Sequence, residues 1–293
     1  MCFLPILMSG TEEQREKYIP RSISGELIGA ISTTEPAGCI NFPAHTATAV
    51  RDGDHWILNA HKIFTTNSQA ADVYLLLARV DGNPIPSIFI VEKGMSGLSF
   101  GKIEKKLGWH GSNTGTVHYD DVRVPAANLL ESLTDGPNVG TAVAESCVGI
   151  GAMCVGAAAG VFQKTLEYAR DRNLLGRQMI DIQGVYESLA RMAMNIETSR
   201  SLVYRAAGLI DSGQPPLPDT PAWFFAAACK TQPPEMAAQV CDMAIQLHGG
   251  HGYMDDMGIH RYWRDVRACQ IGEHPTYLHL ERMIASVRKH NFI

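Results

Sequence analysis

The chain has 293 residues, of which 45% are hydrophobic and 19% are charged, and its formal net charge is -5. This length exceeds what a single hydrophobic core usually serves, so we expect more than one domain. The acidic balance and the lack of a Lys/Arg block argue against a nucleic-acid-binding protein.

Seven cysteines are scattered along the sequence without a Cys-x-x-Cys pair, a pattern typical of reduced, buried thiols. No apolar run predicts a membrane span, and the apolar residues 1–8 are too few and lack the basic start of a signal peptide. No transit peptide is recognised either. We therefore expect a cytoplasmic protein, with the mitochondrial matrix as the alternative for a eukaryotic chain.

The first 24 residues are predicted to be helical. Thr11 and Gln14 have the spacing of a capping box, which starts a helix at this point. Pro20 lacks a backbone N–H and is expected to end that helix.

Residues 25–132 have the pattern of short β-strands. Asp52-Gly53 lies between two β-rich runs and predicts a tight hairpin. Several such strands follow each other closely with no helix between them, which predicts an antiparallel barrel or sandwich.

Residues 133–293 have helical patterns. Four long helices are predicted over residues 139–173, 183–212, 220–249 and 275–290, which implies a helix bundle. The first of these is rich in Gly, Ala and Val, but the charges of Glu145 and Lys164 favour a buried helix over a membrane span. Pro233-Pro234 predicts a kink or a break in the third helix.

The segment 244–276 carries the strongest signal for chemistry. A helix ends at Gly249-Gly250, an Arg264-Asp265 pair follows, and the isolated carboxylate Glu273 comes after an apolar run. Burial raises the pKa of a carboxyl group towards neutrality, so Glu273 is a candidate general base, although most such glutamates are solvated.

This segment resembles the C-terminal signature of the acyl-CoA dehydrogenase family, in which Gln-x-x-Gly-Gly-x-Gly-Tyr and Arg-Asp-x-Arg precede the catalytic glutamate. The resemblance implies an α+β multidomain protein. Residues 1–24 would be a remnant of an N-terminal helical domain, residues 25–132 an antiparallel β-barrel, and residues 133–293 an up-down four-helix bundle. Most of the family's first domain is missing from this sequence. We therefore expect either a truncated product or a partner chain that supplies the missing side of the pocket.

The family uses FAD, and two groups of residues match its cofactor contacts. Thr34 lies in a Thr-Glu-Pro segment that lines the flavin ring, and Phe64, Thr65 and Thr66 match a Trp-Ile-Thr segment beside it. A second group matches contacts with the FAD of a neighbouring subunit, and Arg172 would pair with the pyrophosphate: Arg172, Gln183, Gln246, Gly249 and Gly250. These contacts imply a homodimer or homotetramer.

The implied activity is dehydrogenation of an acyl thioester. Glu273 would take the α-proton, the β-hydrogen would leave as hydride to FAD, and the electrons would pass to an external acceptor. The acyl group would be carried by CoA or by a carrier protein.

Some positions depart from the family pattern. Cys39 and Ile40 replace a Gly-Ser pair, His274-Pro275 replace a Gly-Thr pair, and Ala144 and Cys147 stand where an Asp and an Arg usually grip the pantetheine. These departures leave one alternative, a flavin-dependent monooxygenase or oxidase on the same scaffold. The missing part of the first domain leaves a second alternative, a non-catalytic truncated homologue.

Histidines are frequent in the last quarter, and His248-x-x-His251 is a spacing found in metal sites. The Gly-Gly pair between them breaks any helical ligand face. We therefore predict no metal site and structural or solvated imidazoles instead.

Overall fold

A computed structural model describes residues 2–39, 44–80, 83, 86–132, 137–214, 216–217 and 220–289. The chain forms two compact units. The first contains residues 1–106 and 110–142, and the second contains residues 107–109 and 143–293.

The first unit begins with two helices, α1 (Phe3–Ser9) and α2 (Glu12–Ile23). The predicted capping box is confirmed, since Thr11 Oγ1 accepts a hydrogen bond from the Gln14 backbone and Gln14 Oε1 accepts one from the Thr11 backbone. The prediction that Pro20 ends the helix is wrong. Pro20 has no N–H group to donate to the carbonyl of Glu16, four residues earlier in the helix. Glu16 is exposed, so solvent can supply the missing hydrogen bond.

Eight strands follow, and they form one sheet in the order β6-β7-β3-β2-β4-β5-β8, with β1 also paired to β4. Their bounds are β1 (Gly29–Ser32), β2 (Thr48–Asp52), β3 (His55–Thr66), β4 (Val73–Val80), β5 (Pro86–Glu92), β6 (Leu98–Ile103), β7 (Thr114–Pro125) and β8 (Leu129–Ser132). The hairpin predicted at Asp52-Gly53 is confirmed, because Asp52 pairs with His55 and Gly53 has a φ of 59°.

The prediction of an antiparallel sheet is right for most pairings and wrong for two. Strands β1 and β2 both run parallel to β4. The chain segments that separate β1 and β2 from β4 contain other strands, and they are long enough for the crossover that a parallel pair requires. Among the described residues the sheet is an open path from β6 to β8.

The central strand β4 is buried on both faces, which explains its continuous apolar sequence. Tyr74 and Leu76 pack in a core that also contains Trp56 and Phe89. On the other face, Val73, Leu75 and Leu77 pack with Ile6 of α1 and Tyr18 of α2.

The second unit is helical, and the four predicted long helices are all found: α3 (Pro137–Asp171), α4 (Gln183–Asp211), α5 (Pro221–His248) and α8 (Thr276–Lys289). Two further helices, α6 (Gly250–Tyr253) and α7 (Ile259–Ile271), are not predicted by the sequence pattern. A short hairpin of β9 (Asn173–Leu174) and β10 (Arg177–Gln178) connects α3 to α4. Helix α5 continues through Pro233-Pro234 without a break.

Residues 141–171 of α3 are long and apolar enough to cross a membrane, with a mean hydropathy of 1.6. Half of that apolar window is buried inside the protein. Cys154, Ala158 and Val161 of α3 belong to the core of the second unit, together with residues of α4, α5 and α7. Packing within this core accounts for the apolar composition of the helix.

Candidate active site

Glu273 lies in the short connection between α7 and α8, directly after Gly272, which caps the end of α7. Glu273 and His274 both have left-handed backbones, with φ values of 53° and 79°. Such conformations cost a non-glycine residue on the order of 1–3 kcal/mol each and are found preferentially at functional sites. The turn is therefore held in a strained conformation that surrounding contacts must maintain.

The two oxygens of the Glu273 carboxylate have different surroundings. Ser146 of α3 donates a hydrogen bond from its hydroxyl to Oε1. Oε2 is buried, and among the described residues it has no hydrogen-bond partner. Burial raises the pKa of this carboxyl group, while the Ser146 hydrogen bond and the charge of Lys230 oppose the rise. One oxygen is thus fixed and the other can accept a proton.

Charged and imidazole side chains surround this turn. Lys230 of α5 is fully buried, and its Nζ donates to the backbone carbonyl of His274 at 3.2 Å. Nε2 of His279 lies 3.3 Å from the carbonyl oxygen of Glu273, which requires that this nitrogen carries the proton. Burial lowers the pKa of both His274 and His279 to about 4, so both imidazoles are neutral at pH 7.

Next to this cluster lies a cavity of about 10 Å³, which is roughly the space of one water molecule. It is lined by Ala144 and Cys147 of α3, Trp223 of α5, and Arg282 of α8. The Arg282 guanidinium lies over the Trp223 ring at 5.3 Å. Ala144 and Cys147, which the sequence analysis singled out as departures from the family pattern, are therefore buried beside an arginine that the site already contains.

The first group of predicted flavin contacts lies in the first unit. The Thr34 carbonyl accepts a hydrogen bond from Ile63 N at 2.9 Å, which brings Thr34 next to β3. Phe64 is 62% exposed and has a φ of 55°, and Thr66 is also exposed. Thr65 is instead buried, with its hydroxyl 3.5 Å from that of Ser32. Only Thr34, Phe64 and Thr66 present side chains that a ligand can reach.

A β-bulge explains this arrangement, which a regular strand would not give. Lys62 pairs with Val117 and Thr65 pairs with Gly115, so β3 has one residue more than β7 at this point. The extra residue brings both Lys62 and Thr65 into the interior and turns Phe64 outwards. An exposed aromatic ring beside two hydroxyls fits the flat, polar-edged isoalloxazine of a flavin.

A buried ion pair beneath this segment is the main feature that the sequence analysis missed. Lys62 Nζ lies 2.8 Å from Glu35 Oε1 and 3.1 Å from the Thr33 carbonyl oxygen. The same carboxylate accepts hydrogen bonds from the backbone N–H groups of Thr46 and Ala47 and from the Thr46 hydroxyl. A lysine in the middle of a predicted strand, followed by Ile63 and Phe64, was the available signal. The pair fixes the two segments that carry Thr34 and Phe64.

The second group of predicted cofactor contacts lies in the second unit. Tyr168 of α3 stacks on His248 at 4.4 Å, and its hydroxyl lies 3.1 Å from His251 Nδ1. The Tyr168 carbonyl accepts a hydrogen bond from Arg172 N, so the end of α3 lies beside the turn at the end of α5. All five predicted residues of this group are exposed: Arg172, Gln183, Gln246, Gly249 and Gly250.

The two glycines at the end of α5 leave open space. A Cβ atom on Gly249 or Gly250 would have no neighbour within 4 Å, and Gly249 has a φ of 58° and a ψ of -137°. An exposed guanidinium next to open backbone suits an anion such as a pyrophosphate. The residues present therefore fit FAD in both groups.

His248 and His251 are occupied by other contacts. His248 Nδ1 lies 2.7 Å from the Ala244 carbonyl, and both rings contact Tyr168. Across the described parts of the chain, no group of three or more His, Cys, Asp or Glu side chains is arranged to hold a metal ion.

The Arg264-Asp265 motif holds a loop of the second unit. Asp265 Oδ1 accepts a hydrogen bond from Trp109 N at 2.6 Å, and the Asp265 carbonyl accepts one from Trp109 Nε1 at 2.8 Å. Gly108 allows this approach, because a Cβ atom there would lie 2.5 Å from the Arg264 carbonyl oxygen. Asp265 is therefore structural within this unit. Ile40, where the family pattern also changes, lies outside the described residues, and Cys39 is partly exposed.

Comparisons with known proteins agree with this geometry. The acyl-CoA dehydrogenase middle domain matches residues 30–122 and the acyl-CoA dehydrogenase C-terminal domain matches residues 138–287. A short-chain-specific acyl-CoA dehydrogenase of Clostridium acetobutylicum is 36% identical over 277 residues, which cover 93% of this chain and 72% of that protein.

Solved structures give the same result. The butyryl-CoA dehydrogenase of Megasphaera elsdenii has a TM-score of 0.90 and 32% identity, with 98% of this chain and 75% of that chain covered. A glutaryl-CoA dehydrogenase of Mycobacterium smegmatis in complex with FADH2 has a TM-score of 0.88 and 25% identity, with 98% and 72% covered. The chain belongs to the acyl-CoA dehydrogenase family.

Proposed function

We propose that this protein is an FAD-dependent dehydrogenase of acyl thioesters, in which Glu273 is the catalytic base. The observation that carries the proposal is the Glu273 carboxylate, with Oε1 hydrogen-bonded to Ser146 and Oε2 buried without a partner among the described residues. A thioester carbonyl acidifies the neighbouring α-C–H bond. Oε2 is the atom that would receive this proton.

The surroundings of Glu273 suit a base that works near neutral pH. Burial raises the pKa of its carboxyl group, and a base is most effective when its pKa lies close to the working pH. Ser146 fixes the orientation of the carboxylate, which saves the entropy of positioning it for each turnover. The neutral imidazoles of His274 and His279 add no competing charge at pH 7.

FAD, when bound, would supply the acceptor for the β-hydrogen as a hydride, and the product would be a trans-2-enoyl thioester. Thr34 and Thr66 would donate hydrogen bonds to the polar edge of its ring, and the face of Phe64 would pack against the ring. Thr65 would contribute only through its backbone, since its side chain is buried. Arg172, Gln183, Gln246, Gly249 and Gly250 would hold the pyrophosphate and adenosine of a neighbouring subunit's FAD.

The proposal includes the wider organisation that the family resemblance implies. The protein would act as a homodimer or homotetramer and pass its electrons to an external acceptor. Its parts would be a helical segment over residues 1–24, a β-barrel over residues 25–132 and an up-down four-helix bundle over residues 133–293. It would work in the cytoplasm, or in the mitochondrial matrix of a eukaryote.

The carrier of the acyl group is CoA or a carrier protein. Ala144 and Cys147 are buried and apolar at positions where the family pattern has an Asp and an Arg for pantetheine. Binding of the thioester would therefore depend on other residues. A comparison of an acyl-CoA with the matching acyl carrier protein thioester decides between the two carriers.

The proposal is tested by size-exclusion chromatography with absorbance detection, followed by anaerobic mixing with butyryl-CoA. We expect a flavin spectrum that co-elutes with a dimer or tetramer, bleaching on mixing and formation of the enoyl thioester. Rapid reoxidation by O₂ with a hydroxylated product would instead indicate a monooxygenase. A folded, colourless chain that takes up no added FAD would indicate a non-catalytic homologue and contradict the proposal.

A further inference from the structure

The strained Glu273-His274 turn is held by contacts with both of its carbonyl groups. Lys230 Nζ donates to the His274 carbonyl at 3.2 Å, and His279 Nε2 donates to the Glu273 carbonyl at 3.3 Å. Lys230 belongs to α5, whereas His279 belongs to α8, which follows the turn directly. Lys230 therefore ties the backbone of the turn to a separate helix.

The burial of Lys230 is unusual for a structural lysine. Its side chain is 0% exposed, and the His274 carbonyl is the one hydrogen-bond acceptor that the described residues provide for its three N–H donors. It forms no ion pair among those residues. Removing an ammonium group from water is costly, and an apolar side chain of similar length would fill the same space without that cost. The positive charge of Lys230 therefore has a role in the electrostatics of the groups around it.

Glu273 is the carboxylate on which this charge acts. Burial raises the pKa of Glu273, and the positive charge of Lys230 opposes that rise. Burial also lowers the pKa of Lys230, and the negative charge of Glu273 is one of the contributions that oppose this fall. Their side chains form no direct ion pair among the described residues, so the proton-accepting oxygen Oε2 is not blocked by the ammonium group. A charge that forms no direct ion pair with the carboxylate favours its ionised form without occupying the proton-accepting oxygen.

We propose that Lys230 is a positioning residue for Glu273, which anchors the strained turn through the His274 carbonyl and keeps the carboxylate ionised for proton abstraction. This inference rests on the proposed function for its catalytic consequence. Its structural part concerns only the ionisation of Glu273 and can be measured without turnover.

The other groups around Glu273 do not replace this charge. From α3, Ser146 is a neutral hydroxyl and burial raises the pKa of the Cys147 thiol to about 12. His274 and His279 have pKa values of about 4 and are neutral at pH 7. Arg282 of α8 is a further cation, and its effect on the pKa of Glu273 is smaller than that of Lys230.

The experiment compares three variants. Lys230→Met removes both the charge and the hydrogen bond, Lys230→Gln removes the charge but keeps a donor for the His274 carbonyl, and Lys230→Arg keeps the charge. A lost positive charge raises the pKa of a nearby carboxyl group. We therefore expect the acid limb of the kcat profile to move up by about one pH unit in the Met and Gln variants. Near that limb, kcat should fall about tenfold with little change in KM, and Lys230→Arg should stay close to the wild type.

A direct titration separates this inference from the proposed function. The carboxyl band of Glu273 is followed by infrared difference spectroscopy, with the Glu273→Gln protein as the subtracted reference. We expect a higher midpoint in Lys230→Met and Lys230→Gln than in the wild type. If the midpoint shifts but the protein has no dehydrogenase activity, the role of Lys230 is supported and the proposed function is contradicted. Identical midpoints in the wild type and in folded Lys230→Gln and Lys230→Met proteins would overturn the inference.

Discussion

Lys62 and Glu35 form an ion pair of 2.8 Å in the interior of the first unit, where their side chains are 0% and 1% exposed. The carboxylate of Glu35 also accepts hydrogen bonds from Thr46 and Ala47. These hydrogen bonds and the Lys62 charge overcome the effect of burial and lower the pKa of Glu35 from 4.5 to about 2. The pair thus joins the segment that carries Thr34 to the strand that carries Phe64.

The first prediction concerns the stability of this pair. Because the pKa of Glu35 is lowered in the folded protein, its contribution is complete above about pH 4.5 and is lost as the pH falls towards 2. The shift corresponds to about 3 kcal/mol. Glu35→Gln should lower the free energy of unfolding by about 3–5 kcal/mol at pH 7, since it leaves a buried ammonium without its partner.

Urea unfolding measures this effect. The matched control is Glu104→Gln, which breaks the exposed pair of Lys102 and Glu104 and should cost less than about 1 kcal/mol. Equal costs for the two variants would contradict the role that we assign to the buried pair.

The second prediction concerns Phe64, which is exposed and has a left-handed backbone. Phe64→Gly relieves the left-handed strain but adds freedom to the unfolded chain, so the free energy of unfolding should change by less than about 1 kcal/mol. The same change removes the aromatic face and should weaken FAD binding about tenfold.

Phe64→Trp is the control, because it keeps an aromatic face and should retain FAD. Flavin fluorescence and thermal unfolding together give the result. A large loss of stability with unchanged FAD affinity would show that Phe64 is structural.

The third prediction separates the two glycines at the end of α5. Gly249→Ala places a side chain at a φ of 58° and a ψ of -137° and should cost about 1–3 kcal/mol of stability. Gly250→Ala enters open space and should change stability by less than about 0.5 kcal/mol. If Gly250 borders the FAD pyrophosphate, the added methyl group should still weaken FAD binding. An FAD affinity unaffected by Gly250→Ala would remove this residue from the cofactor site.

The fourth prediction concerns the cysteines. Six of the seven are buried and Cys39 is partly exposed. Burial raises the pKa of Cys147, Cys229 and Cys241 to about 12, so these thiols should not react with iodoacetamide at pH 8 in the folded protein. Mass spectrometry should find Cys39 modified first and all seven modified in urea. Early labelling of Cys147 would mean that the side chains packed beside Glu273 are accessible to the reagent.

Local sequence signals predicted local structure well. Thr11 and Gln14 lie three residues apart and form the expected capping box. Asp52-Gly53 gave the hairpin for the same reason, since a tight turn depends on its own residues. The prediction that Pro20 ends the helix was wrong, because a proline near the exposed end of a helix removes a hydrogen bond that water can replace.

The surroundings of Glu273 depend on distant parts of the chain. Ser146 is 127 positions away in the sequence, and Lys230 reaches the turn from another helix, 44 positions before His274. Periodicity and spacing cannot identify such partners, because tertiary packing selects them. The bulge that turns Phe64 outwards and Thr65 inwards is another example, since it depends on the register of β3 against β7.

The central claim is that Glu273 abstracts the proton in a flavin-containing enzyme. The most direct measurement is anaerobic mixing of butyryl-CoA with the wild type and with Glu273→Gln, both loaded with FAD and followed by flavin absorbance. We expect rapid bleaching in the wild type. The Gln variant should remain yellow, with FAD bound and a bleaching rate reduced by a factor of at least about 100. Bleaching at the wild-type rate in Glu273→Gln would contradict the account and place the base elsewhere.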